Sequence, residues 1–120
     1  MSRPRVLIVD DDTALLEITS AACEALGYPA LTASSAPEAL AVLSEHPSLE
    51  LAIVDVTLGP DGDGFELGDD LAVGRKDLAI VYLSGFGDQV DRPAKHSGAT
   101  VHRKPLPLAD LRALLGATLS

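Results

Sequence analysis

Short apolar runs alternate along the chain with longer stretches whose apolar residues recur every three or four positions. Val6-Leu7-Ile8-Val9, residues 51–54 and residues 78–83 have no polar face. Such runs predict central strands of a parallel sheet that is covered on both sides. Residues 30–33 and 100–103 mix polar and apolar side chains and are predicted as outer strands. Between the strands, residues 13–26 carry apolar side chains at 14, 15, 18, 22 and 26, follow an aspartate that can cap a helix, and stop at Gly27, where a left-handed cap costs nothing. Ser35 caps a second helix with Pro37 in its first turn and apolar positions 39, 40, 42 and 43, ending before Pro47. A short third helix is predicted over 65–73, and a last one from near Pro107 through Leu108, Leu111, Leu114 and Leu115. The slot over 87–97 is the weakest, because Pro93 lacks an amide proton and disfavours helical geometry at Arg92. Five strands and five helices in strict alternation predict an α/β doubly wound parallel sheet with helices on both faces.

A length of 120 residues is one ordinary domain, so a single domain over 1–120 is expected, with no output domain. A hydrophobic content of 47% argues against disorder, yet no apolar run approaches the roughly 20 residues that a membrane helix needs. The expectation is a soluble chain with no membrane partner. Arg3 and Arg5 precede an apolar run that stops at Asp10, so no export signal is read. The single cysteine, Cys23, falls in a helical apolar pattern and reads as a small buried hydrophobe, which suits a reducing, cytoplasmic location. Formal net charge is -9, with two Phe, two Tyr and no Trp. A phosphate backbone would repel such a chain and find few rings to stack on, so no direct nucleic-acid partner is expected.

In a doubly wound sheet, functional groups collect beyond the carboxyl ends of the strands. The first strand ends in Asp10-Asp11-Asp12, the third in Asp55, the fourth in Ser84 and the fifth in Lys104. Taken singly, each has a plain structural role: an aspartate caps a helix, Ser84-Gly85 makes a turn, and a lysine is a solvated charge. Together they bring carboxylates, a hydroxyl and an ammonium to one edge. Crowded carboxylates repel one another and hold protons unless a cation balances them. All-oxygen ligands favour a hard cation, and partial coordination with retained waters is the habit of Mg²⁺. A metal and an ammonium around a carboxylate suit a phosphoryl group, whose charge spreads over three oxygens during transfer. Ser84 can donate to one of those oxygens, and Asp55 then reads as the nucleophile that forms an acyl phosphate.

Val9-Asp10-Asp11-Asp12, Val54-Asp55, Leu83-Ser84-Gly85 and Lys104-Pro105 resemble, in order and spacing, the response regulator receiver family of two-component phosphorelays. The resemblance covers the chain from Arg5 to the last helix. It implies a flavodoxin-like fold with strand order 2-1-3-4-5. It also implies Asp55 as phosphoacceptor, with Asp11 and Asp55 as direct Mg²⁺ ligands, Asp10 acting through water, and the Thr57 carbonyl as a backbone ligand. Lys104 would contact the phosphoryl group or Asp55, and the peptide before Pro105 would be cis. The implied partners are a histidine kinase or histidine phosphotransfer protein as donor and a downstream protein target. The implied activity is a signalling switch and not a turnover enzyme.

Several positions depart from the family pattern. Gly59 stands where a proline is usual, Pro60 follows, and Asp61-Gly62-Asp63-Gly64 makes the loop one residue longer; its acids are expected to cap the third helix in preference to binding a further metal. Val101 stands where the family carries a rotating Tyr or Phe, so the usual switch ring is absent. His102 points to the opposite face by strand alternation and is expected to be an ordinary surface histidine. With Pro93 interrupting the fourth helix, readout is expected through altered order in 86–97 instead. Thr57 and Phe86 occupy positions that tune phosphate lifetime, and an apolar Phe86 cannot orient an attacking water, so self-dephosphorylation is expected to be slow. Two other readings compete with this one. An aspartyl-phosphate hydrolase needs Thr or Val where Ala14 follows Asp10 and Asp12, and a receiver-like interaction module without phosphorylation would not need the complete acid, hydroxyl and lysine set.

Overall fold

A computed structural model describes residues 3–58, 63–85, 100–104 and 106–119. Five strands, β1 (Val6–Val9), β2 (Ala30–Ala33), β3 (Leu51–Asp55), β4 (Ala79–Ser84) and β5 (Thr100–Arg103), form one sheet in the order β2-β1-β3-β4-β5, with every neighbouring pair parallel. The three runs without a polar face are its central strands, and the two mixed runs are its edges. The described helices are α1 (Thr13–Ala25), α2 (Ala36–Glu45), α3 (Gly64–Gly74) and α4 (Leu108–Leu119). The predicted helix over 87–97 with Pro93, together with Phe86, residues 59–62 and Pro105, lies outside the described residues.

Alternation along the strands sorts the core into two layers. Val6, Ile8, Leu51, Ile53, Val81 and Leu83 pack with Leu16 and Cys23 of α1 and Leu111, Leu115 and Leu119 of α4. Leu7, Val9, Ala52, Val54, Ile80 and Tyr82 pack on the other side with α2 and α3, through Ala39, Leu43, Phe65, Leu67 and Leu71. Tyr82 is fully buried, its ring centroid 4.6 Å from that of Phe65. A Cβ on Gly68 would overlap the Tyr82 hydroxyl, so a glycine in mid-helix makes room for a phenol in the sheet.

The caps follow the sequence. Asp12 accepts the Leu15 N–H, Ser35 accepts the Glu38 N–H, and Gly27 takes φ +94°, the left-handed geometry that ends α1. Asp63 caps α3, accepting the N–H groups of Phe65 and Glu66, in accord with the capping role expected of the acidic loop. In α1 the inward stripe differs from the expected one. Leu16 and Cys23 face the sheet, whereas Ile18 is 66% exposed. Leu15, Ile18 and Ala22 instead border an apolar groove of about 290 Å³ between α1 and α4 that also includes Leu108, Leu111 and Lys104. Among the described residues, no helix is long and apolar enough to cross a membrane.

Candidate functional site

Parallel pairing delivers four strand ends to one edge. Asp10 closes β1, its N–H donating to the Ala33 carbonyl of β2. Asp55 is the last residue of β3 and pairs in register with Leu83. Ser84 ends β4, and its carbonyl accepts the Lys104 N–H at 2.7 Å, so the β4–β5 pairing continues far enough to bring Lys104 to the same level.

The side chains converge there. Lys104 Nζ lies 2.7 Å from Asp55 Oδ2 and 2.8 Å from Asp10 Oδ2, bridging two carboxylates that are otherwise buried. Asp10 Oδ1 accepts the Asp12 N–H, and Asp55 Oδ1 accepts the Thr57 N–H at 3.1 Å. Each buried acid thus has one oxygen fixed by backbone and one by the ammonium, as burial of charge demands. Carboxylate oxygens of Asp10, Asp11 and Asp55 all lie within 4.8 Å of one another, with Asp11 exposed at the rim. Ser84 is buried and donates to its neighbour's carbonyl, that of Gly85, at 3.4 Å, a long contact that leaves the hydroxyl easily redirected.

The sequence matches the family model of the response regulator receiver domain over residues 6–115. The chain belongs to the response regulator receiver family. It is 39% identical over 93 residues to the transcriptional regulatory protein AruR of Pseudomonas aeruginosa, a match covering 74% of this chain and 37% of AruR. It is 31% identical over 113 residues to the two-component response regulator ARR11 of Arabidopsis thaliana, covering 92% of this chain and 21% of that protein. A receiver domain protein of known structure from Clostridium thermocellum superposes with a TM-score of 0.86 at 28% identity, covering 97% of this chain and 94% of that one. The receiver spans less than half the length of the curated relatives it matches.

Electrostatics in the receiver site follow from burial and pairing. Burial raises the Asp55 carboxyl to about 6, against the Lys104 and Thr57 hydrogen bonds, which favour the ionised form; the nearby Asp10 charge adds to the rise. Burial alone would lower the Lys104 ammonium, but its hydrogen bonds to Asp10 and Asp55 outweigh that and hold it above its ordinary value. Near neutral pH both partners are mainly charged. The donor set of Asp10, Asp11 and Asp55 is all oxygen and negatively charged, which fits a hard divalent cation.

Of the residues singled out from sequence, the structure brings together Asp10, Asp11, Asp55, Thr57, Ser84 and Lys104. Phe86 and Pro105 lie outside the described residues. Val101 is 41% exposed on the edge strand, and His102, half-buried, shares a 3.2 Å hydrogen bond with Thr100. Sequence reading did not foresee that Lys104 bridges Asp10 as well as Asp55.

Proposed function

We propose that this receiver accepts a phosphoryl group on Asp55 from a phosphohistidine of a histidine kinase or phosphotransfer protein, with Mg²⁺, and that the acyl phosphate switches a protein-interaction surface. The observation that carries the reading is the buried Asp55 carboxylate, 2.7 Å from Lys104 and clustered with Asp10 and Asp11. Asp10, Asp11, Asp55 and the Thr57 carbonyl are the residues that would hold the cation. Bound there, Mg²⁺ supplies positive charge that offsets both the crowded carboxylates and the incoming phosphoryl oxygens.

In the transfer, an Asp55 oxygen bonds to phosphorus while the bond from phosphorus to the donor imidazole nitrogen breaks, its electron pair returning to the ring. Lys104 holds Asp55 in place before the reaction and can turn its remaining donors to the phosphoryl oxygens afterwards. Ser84, whose hydroxyl makes a long hydrogen bond to the Gly85 carbonyl, can donate to the same group. The donor lies along the apolar groove between α1 and α4, because that groove reaches Lys104, whose ammonium is 2.7 Å from Asp55. No turnover of a small substrate is part of this reading. The unpaired, buried Cys23 thiol accords with a reducing compartment.

Beryllofluoride with Mg²⁺ mimics an acyl phosphate and tests the reading against an interaction module that never takes phosphate. Shifts of the amide resonances of residues 55–57, 84–85 and 104, absent in Asp55→Asn, are expected. An unchanged spectrum of the wild-type chain would favour the module.

A further inference from the structure

The first turn of α3 lies closer to the backbone of the phosphoacceptor segment than any side chain would allow. A Cβ on Gly64 would fall on the carbonyl oxygen of Asp55 and lie 2.8 Å from both the Asp55 carbonyl carbon and Val56 Cα. These are main-chain atoms held in the sheet, and they cannot rotate aside as the end of a flexible side chain can. Gly64 has no positive φ, so the position calls for glycine because of space and not because of backbone conformation.

The contact is locked by hydrogen bonds. The Gly64 N–H donates to the Val56 carbonyl at 2.7 Å, and Thr57 pairs with Asp63 in an isolated antiparallel bridge. Asp63 Oδ1 accepts the Phe65 and Glu66 N–H groups at 2.9 and 3.3 Å, which fixes the bridge to the helix. On the other side, the Val56 N–H donates to the Leu83 carbonyl of β4. Residues 55–57 are therefore clamped between β4 and the start of α3. Because the Thr57 N–H holds Asp55 Oδ1, the direction of the carboxylate depends on the same clamp.

We propose that Gly64 and Asp63 are positioning residues for the divalent-cation site: they fix the backbone of 55–57 and, through it, the Asp55 carboxylate and the Thr57 carbonyl. The inference rests on reading Asp10, Asp11, Asp55 and Thr57 as the cation set. Mg²⁺ demands near-ideal octahedral geometry at about 2.0–2.1 Å, so a small displacement of two of its ligands costs affinity. An alanine at 64 must push 55–57 away from the helix. An alanine at 63 removes the oxygen that joins the bridge to the first turn.

The test is a calorimetric Mg²⁺ titration of the whole chain, at a temperature where circular dichroism shows each variant folded. Gly64→Ala and Asp63→Ala are expected to weaken Mg²⁺ binding by about 10- to 100-fold, as loss of supporting groups around a metal site does. Asp63→Asn loses the same charge but keeps a capping oxygen, and is expected to bind close to wild type. Gly68→Ala, crowded against Tyr82 in the same helix, is expected to lose stability and keep its affinity. If Gly64→Ala does not fold, the Asp63 pair decides. Equal affinity in both Asp63 variants, whether retained or lost, overturns the proposal, since retention shows that the clamp is irrelevant and equal loss shows that only charge matters. A wild-type chain that binds no Mg²⁺ would remove the cation set itself, a different failure from variants that bind as well as wild type.

Discussion

Replacing Lys104 by methionine keeps much of the side chain's bulk and deletes the ammonium that lies 2.7 Å from Asp55 and 2.8 Å from Asp10. Two buried carboxylates are then left facing each other without a cation. Deleting one partner of a buried ion pair costs about 3–5 kcal/mol. Here the Lys104 side chain keeps 18% of its surface exposed, and the acids can take up a proton, so a loss of about 2–3 kcal/mol is expected near pH 8 without metal. For a domain of this size that is a fall in Tm on the order of 10 °C. The pH dependence gives the cause away. Because burial raises the Asp55 carboxyl to about 6, the folded chain takes up a proton there before the unfolded chain does, and this group's contribution to stability falls as pH rises from about 4 to about 6. Without Lys104 that uptake begins at higher pH. The gap in Tm between wild type and Lys104→Met, read by thermal denaturation in a chelator, should be widest near pH 8 and clearly narrower near pH 5.5, and Mg²⁺ should restore more of the variant's Tm than it adds to wild type. A Tm unchanged at pH 8, or a gap independent of pH, would refute the reasoning.

Other expectations follow from the same geometry. If Asp55 is a ligand as proposed, Mg²⁺ would have to displace its proton, so the apparent affinity should be level above about pH 6 and fall by about tenfold per unit below it; an affinity independent of pH from 5 to 7 would count against the raised carboxyl. Gly68→Ala should cost about 1–3 kcal/mol by overpacking against the Tyr82 hydroxyl, and Tyr82→Phe should recover part of that loss in chemical denaturation of the double variant. The Cys23 thiol, buried and pushed up to about 11, should resist alkylation in the native chain and react only at the rate of unfolding; rapid native labelling would show that the α1 face opens locally.

The central strands were legible in the sequence because a parallel sheet covered on both faces leaves an unmistakable apolar run: β1 spans the run that predicts it, and β3 and β4 lie within one residue of theirs. The convergence of Asp10, Asp55, Ser84 and Lys104 was legible for the same reason, since strand order and parallel direction bring their ends to one edge. What periodicity could not convey was which flank of α1 turns inward. Apolar residues at 15, 16, 18, 22 and 23 surround much of the helix, and it is packing against the sheet and α4 that buries Leu16 and Cys23 and leaves Ile18 exposed. The double pairing of Lys104 was equally hidden, because it depends on the depth at which a flexible side chain crosses two strand ends. Gly64 read as one more loop glycine, and its role depends on a main-chain approach that no sequence pattern records.

The most direct test of phosphoryl transfer to Asp55 uses phosphoramidate, whose phosphorus–nitrogen bond is that of a phosphohistidine. The chain is incubated with it and Mg²⁺, any acyl phosphate is trapped by borohydride, and the modified residue is located by peptide mass. Modification at Asp55 alone, lost in Asp55→Asn and without Mg²⁺, is the expected result. No modification, or modification that persists elsewhere in Asp55→Asn, would contradict the assignment.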